Sequence, residues 1–166
     1  MTREQAFAEL YARYSSRVYL YCRKIVGNET LAEDLFQEAF LLFLQHAYKG
    51  GEVRNVPAYL LRIARNVCLN SKRDTKHDGV EFEDFHAPSM DRPLESIELE
   101  GLIESAMDRL PVEHREAFVL QAYNGLSYQE IADLTNVPLT TVRNRVVRAK
   151  KKLRELLSSY VETLRP

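Results

Sequence analysis

A chain of 166 residues with 45% apolar and 28% charged residues has the composition of a folded globular protein rather than a disordered one. Six glycines, six prolines and two cysteines exclude collagen-like and disulfide-scaffold architectures and disfavour turn-rich all-β ones. The net charge of −1 excludes little by itself, because it hides a strong asymmetry along the chain.

Residues 1–76 hold 12 Lys/Arg against 8 Asp/Glu, a balance of +4. Residues 77–108 hold 1 against 10, a balance of −9, and residues 109–166 hold 10 against 6, again +4. Two basic segments flank an acidic one, which points to an anionic partner such as nucleic acid. The longest apolar run, Ala39 to Leu44, spans 6 residues and is too short to cross a membrane, so no membrane insertion is expected. The start, MTREQAFAEL, contains acid and lacks the apolar stretch of a secretory leader, so a cytoplasmic protein is expected.

Thr2-Arg3-Glu4-Gln5 is a capping box, in which a hydroxyl and an amide three residues apart serve the free N–H groups of a helix start. Phe7, Leu10, Tyr11, Tyr14, Val18 and Tyr21 follow at helical spacing, and Gly27 can close the helix. Thr30-Leu31-Ala32-Glu33 has the form of a second box, opening a helix through Leu35, Phe36, Ala39, Phe40 and Phe43. Lys49-Gly50-Gly51-Glu52 is a loop, and Pro57 marks the start of a third helix with an apolar stripe of Leu60, Ile63, Ala64 and Val67.

Periodicity stops at Asp74. The segment to Pro93 is acidic, with two prolines and a glycine, and is expected to be an extended linker. An apolar pattern resumes at Leu94, Ile97, Leu99 and Leu102, and Pro111 starts a further helix that ends by Gly125. The expected architecture is all-α: two small helical domains, 1–76 and 94–166, joined by an acidic linker over 77–93.

Ser127-Tyr128-Gln129-Glu130 is another capping box, followed by a helix of two turns, a turn at Asn136-Val137-Pro138 and a long helix from about Thr140. This is the layout of a helix-turn-helix. Asparagine tolerates the left-handed backbone that such a turn demands. Val142, Val146, Ala149, Leu153 and Leu156 share one face of the second helix, and Thr140, Arg143, Asn144, Arg148 and Lys151 share the opposite one. Seven basic residues lie between Arg143 and Arg154 with no acid among them. A solvated basic helix would explain the charge alone; capping box, turn and polar-basic face together point to the major groove, where Arg reads guanine and Asn reads adenine.

In the first domain, Tyr59, Arg62, Arg65, Asn66, Lys72 and Arg73 accompany the third helix's apolar stripe. Cations interleaved with an aromatic and an amide suit single-stranded DNA, although Tyr59 equally fits a core position. The preceding helix has the opposite sign, with Glu33, Asp34, Gln37 and Glu38 beside Leu35 and Phe36. That pattern suits a protein-docking face, or a solvated helix N-terminus whose acids favour the macrodipole. His46, His77, His86 and His114 are scattered, without metal-ligand spacing, nucleophile elbow or phosphate loop, so neither catalysis, metal nor cofactor is expected. Cys22 and Cys68 are expected to pack inside helices rather than sense redox state.

The stretches AEDLFQEAFLLFL, AYLLRIARNVCLNSKR and LPVEHREAF through LSYQEIADLTNVPLTTVRNRVVRAKKKLRE resemble extracytoplasmic-function sigma factors of bacterial RNA polymerase, in the family's order and over about 150 residues. The resemblance implies sigma region 2 at 1–76 and region 4 at 94–166. It implies that Asp34, Leu35, Gln37 and Glu38 dock on the core polymerase. Tyr59, Arg62, Arg65, Asn66 and Arg73 would hold the minus-ten element as single strand, with the loop from Tyr48 to Asn55 helping Asn66 capture an extruded base. Arg143, Asn144, Val147 and Arg148 would read the minus-thirty-five element in the duplex, with Thr140, Thr141, Arg145 and Lys151 at phosphates. An anti-sigma factor is the further partner implied. Three positions depart from the family's habit: Tyr59 stands where tryptophan is common, Thr140 where glycine is frequent, and Lys49-Gly50-Gly51 is an uncommon loop. The alternative is a free-standing, dimeric helix-turn-helix transcriptional regulator that recognises a palindrome.

Overall fold

A computed structural model of the chain describes the backbone of residues 1–78 and 94–164, and the side chains of 1–72, 99–159 and 162. Seven helices lie among the described residues: α1 (Arg3–Val26), α2 (Glu29–Tyr48), α3 (Val56–Asp78), α4 (Leu94–Asp108), α5 (Val112–Ala122), α6 (Tyr128–Thr135) and α7 (Leu139–Leu164). Among the described residues all regular structure is helical. The chain divides into two compact units, Met1–Glu83 and Asp84–Pro166.

In the first unit, α1, α2 and α3 pack pairwise on one another. The Thr2 box forms: its hydroxyl accepts the Gln5 N–H at 3.2 Å, and its own N–H donates to the Gln5 side chain at 3.0 Å. Gly27 closes α1 in the left-handed region at φ 72, its N–H donating to the Arg23 carbonyl at 3.1 Å. α2 starts earlier than the Thr30 box predicts. The left-handed turn at Gly27 leaves Asn28 extended, and its side chain accepts the Leu31 N–H at 2.9 Å. Thr30 therefore lies inside the first turn, where its hydroxyl has no capping task. At α3, the Asn55 side chain accepts the Ala58 N–H at 3.2 Å, and Pro57 sits in the first turn, where a missing N–H breaks no helical bond.

α3 runs to Asp78, so residues 77 and 78 are helical where the linker was expected to begin. Loss of apolar periodicity signals the end of burial, not the end of hydrogen bonding. No glycine or proline interrupts the segment before Gly79, and each added residue extends the helix by one bond. The rest of the expected linker, 79–93, lies outside the described residues.

The core of this unit combines Val18, Tyr21 and Ile25 from α1 with Leu35, Phe36, Ala39, Phe40 and Phe43 from α2 and Leu60, Leu61 and Ala64 from α3. Phe36 and Phe40 meet edge to face at 5.2 Å, and Tyr11 reaches both at 5.9 and 5.2 Å. Cys22 and Cys68 are fully buried in this core as free thiols, as expected.

The second unit is built around α7, which packs on α4, α5 and α6. Val142, Val146, Ala149 and Leu153 form its buried stripe, against Val119, Leu120 and Ile131. α4 contributes Ala106 and Met107; Leu99, one of the residues at which the apolar pattern resumes, is 58% exposed because burial of this helix begins only toward its C-terminal end. Arg115 is a buried cation that holds the α4–α5 corner. Its Nε donates to the Met107 carbonyl at 2.9 Å, one terminal nitrogen donates to the Asp108 carbonyl at 3.0 Å and the Leu110 carbonyl at 3.4 Å, and the other lies 3.8 Å from the Asp108 carboxylate. A planar five-donor fork is suited to collecting carbonyls that a helix end leaves without partners. Arg115→Ala is expected to lower the stability of this unit by about 1–3 kcal/mol, by removing a side-chain donor from the Asp108 and Leu110 carbonyls and one of the two donors of the Met107 carbonyl, which also accepts the Leu110 N–H. Hydrogen exchange in urea measures it: protection of α5 and α7 amides should fall while that of α1–α3 amides holds.

Candidate nucleic-acid interface

The helix-turn-helix forms as the spacing predicts. The Ser127 hydroxyl accepts the Glu130 N–H at 3.1 Å, and the Ser127 N–H donates to the Glu130 carboxylate at 3.0 Å. Thr135 donates its hydroxyl back to the Ile131 carbonyl at 2.7 Å inside the last turn of α6. Asn136 then adopts φ 57 and ψ 46, the only non-glycine residue with positive φ among the described residues. The following N–H, of Val137, donates to the Ala132 carbonyl at 3.2 Å and completes the helix stop. Pro138 starts the next helix by accepting the N–H groups of Thr141 and Val142 at 3.0 and 3.2 Å.

With one face of α7 committed to the core, the other is determined. Thr140, Arg143, Asn144, Val147, Arg148 and Lys151 are all exposed along a single stripe, about 16 Å long at helical rise. Val147 is 62% exposed in the middle of it. An apolar side chain there serves no packing purpose within the unit. Thr141 and Arg145 are half-buried at the stripe's flank.

On α3, Arg62 and Asn66 are exposed one turn apart on the same face, and Arg65 is half-buried beside them. Tyr59 lies two turns before Asn66, about 10 Å along the axis. It is half-buried, with its ring 6.0 Å from Phe43 and 5.0 Å from the His46 imidazole. Tyr59 is therefore packed on α2 by part of its ring and is accessible over the remainder. Arg73 is on α3, but its side chain lies outside the described residues.

On α2, Asp34, Gln37 and Glu38 are exposed together. Leu35 is not with them. At 6% exposure it faces the bundle, because it shares the i, i+4, i+8 stripe of Ala39 and Phe43. The acidic end of this face is felt at Tyr19, whose phenol is pushed above its ordinary range by burial first and then by Glu29 and Glu33, with Arg23 opposing. Sequence reasoning missed Leu41 and Leu42, 58% and 40% exposed, which continue the face of Gln37 and Glu38 by one turn. The signal was present: six consecutive apolar residues wrap around a helix, and one buried face cannot take them all.

Two family descriptions match the chain, Sigma-70 region 2 over residues 10–77 and Sigma-70, region 4 over residues 100–153. The sigma factor CarQ of Myxococcus xanthus is 35% identical over 159 residues, which span 93% of this chain and 90% of CarQ. The chain belongs to the sigma-70 family, in its extracytoplasmic-function branch. The extracytoplasmic-function sigma factor SigW of Bacillus subtilis is 29% identical over 168 residues, spanning 93% of this chain and 90% of that one. Among solved structures, the sigma factor RpoE in complex with the anti-sigma factor NepR from Bartonella quintana matches with a TM-score of 0.78 and 24% identity, over 93% of this chain and 98% of RpoE. CnrH in complex with the cytosolic domain of CnrY matches with a TM-score of 0.72 and 25% identity, over 95% and 90%. No helix among the described residues is long and apolar enough to cross a membrane, and no cluster of three or more His, Cys, Asp or Glu there could hold a metal ion.

The turn geometry of this sigma factor is testable directly. Asn136→Gly should leave stability within a few tenths of a kcal/mol, whereas Asn136→Val should cost about 1–2 kcal/mol, since a β-branched residue is strained at positive φ. Thermal unfolding of the two variants in parallel measures the difference.

Proposed function

We propose that this sigma factor binds core RNA polymerase and directs it to promoters by gripping DNA with both units. The exposed stripe of α7 carries the reading: a seven-cation helix with no acid among those cations, on a formed helix-turn-helix, matches the width and charge of a major groove. Arg143, Asn144, Val147 and Arg148 read the minus-thirty-five bases, and Thr140, Thr141, Arg145 and Lys151 hold the flanking phosphates. On α3, Asn66 captures an extruded minus-ten base, supported by Tyr59, while Arg62, Arg65 and Arg73 hold the adjoining backbone. Asp34, Gln37 and Glu38 dock on a basic surface of the polymerase, with Leu35 supporting them from beneath. The chain works in the cytoplasm, as a transcription factor and not an enzyme, without cofactor, and an anti-sigma factor is its further partner. The acidic stretch that follows α3, which reaches Asp78, joins the two DNA-binding units.

The division of labour has a physical reason. Phosphate contacts supply affinity without sequence, and base contacts supply sequence. Flipping a base costs a few kcal/mol, which one small helical unit has few contacts to offset. Tight promoter binding therefore belongs to the holoenzyme. A free-standing dimeric regulator would have no use for an acidic face on α2 or for a second basic unit.

Run-off transcription with core polymerase on a promoter library tests the assignment. Arg148→Ala should relax preference at one upstream base pair by about tenfold to a hundredfold, as loss of a bidentate contact does. Asn66→Ala should leave upstream preference intact and lower the yield of open complex, and Asp34→Ala should weaken association with core. Retention of all three activities would leave the fold without this function. A separate measurement concerns salt: with the minus-thirty-five duplex, Lys151→Ala should reduce the slope of log affinity against log salt by about 0.9, the value for one phosphate contact on B-DNA.

A further inference from the structure

The loop between α2 and α3 has an uncommon sequence, and its geometry gives that sequence a purpose. α2 ends in a complete Schellman motif: Gly50 is left-handed at φ 81, its N–H donates to the Ala47 carbonyl at 3.2 Å, and the Gly51 N–H donates to the His46 carbonyl at 3.1 Å. That motif brings the residue after the left-handed one back over the residue that begins the last turn, here Gly51 over His46. A Cβ at Gly51 would collide with the Nε2 edge of the His46 imidazole, so with the ring in this position the backbone rests on it only because residue 51 is glycine. The same imidazole lies 5.0 Å from the Tyr59 ring, inclined at 42°, and Tyr59 in turn lies 6.0 Å from Phe43. The order is loop backbone, His46, Tyr59, Phe43. A second contact holds the loop's start, where the Arg3 guanidinium sits 5.6 Å over the Tyr48 ring.

We propose that His46 is a positioning residue for minus-ten capture, its ring wedged between the Gly51 backbone and Tyr59 so that the loop 49–55 is held in fixed register against α3. The proposal rests on the reading of α3 as the single-strand binding helix. It makes the pairing of an imidazole at position 46 with glycine at 51 a single device: the ring supplies the wedge and the glycine supplies the room. Loop and Asn66 must present one geometry to an extruded base, and a base held by a mobile loop would lose the orientation on which capture depends.

The test uses holoenzyme reconstituted from core polymerase and full-length chain, and a fork-junction promoter DNA whose non-template minus-ten strand is single and carries 2-aminopurine at the extruded position. His46→Ala should weaken fork-junction binding by about fivefold to tenfold, the worth of one aromatic pair, and should lower the 2-aminopurine signal of the bound state. Association with core should be unchanged. His46→Phe, which keeps the flat ring, should restore both readouts. Gly51→Ala should reproduce the His46→Ala defect by displacing the ring, and the double variant His46→Ala, Gly51→Ala should be no worse than either single one, because the three atoms nearest the added methyl all belong to that ring. Defects that multiply in the double variant, or a His46→Ala protein that binds and flips as the parent does, would overturn the proposal. So would a failure of His46→Phe to restore binding, and so would an equal loss of core association, which marks general damage to the bundle. Asn66→Ala is measured alongside: if it is impaired while His46→Ala is not, only the wedge is wrong; if Asn66→Ala also binds normally, the minus-ten reading itself falls and takes the wedge with it.

Discussion

The burial of one stripe of α7 is the constraint on which the second unit depends. Val142, Val146, Ala149 and Leu153 are held against α5 and α6, and a helix has a single rotation that satisfies all four. That rotation sends Arg143, Asn144, Val147 and Arg148 outward together. The angle at which α7 leaves α6 is set by a single left-handed residue, Asn136, and by the Schellman bond behind it. Side chains that share a stripe on a rigid element keep their mutual spacing without further support, even in a unit this small.

The first unit solves a different problem with the same means. Its three helices bury a ring-rich core, and two of them present opposite charge to solvent: acids on α2, cations and an amide on α3. Placing both signs on one compact unit gives its two faces opposite potentials, so that each attracts what the other repels. The aromatic packing also couples the two helices. Tyr59 of α3 leans on Phe43 and His46 of α2, so that the position of one helix face is tied to the other by ring contacts rather than by a loop alone.

Helix content, the helix-turn-helix and the polarity of each surface were legible in the sequence, because all three follow from local rules. Capping boxes at Thr2 and Ser127 are satisfied within four residues, and the alternation of Val142, Val146 and Ala149 with Arg143, Asn144 and Arg148 is a property of helical period alone. Where local rules competed, the expectation slipped. Thr30 had the form of a cap, but Asn28 stood nearer the left-handed Gly27 and took the task. Leu35 had acidic neighbours, but its spacing from Ala39 and Phe43 put it inside. The segment after Asp74 lost its apolar rhythm and yet stayed helical through Asp78, since hydrogen bonding does not require burial.

The sequence by itself determined where most helices lie, which stripe of each is apolar and which charges lie opposite, because period and capping act over a few neighbours. Only the tertiary structure decided what those stripes meet. It put Leu41 and Leu42 in solvent, folded Arg115 over the end of α4, and brought Gly51, His46 and Tyr59, from a loop and two helices, into one stack. Contacts of that kind depend on the rotation and approach of whole helices, which are set by the simultaneous packing of many side chains and leave no periodic trace along the chain.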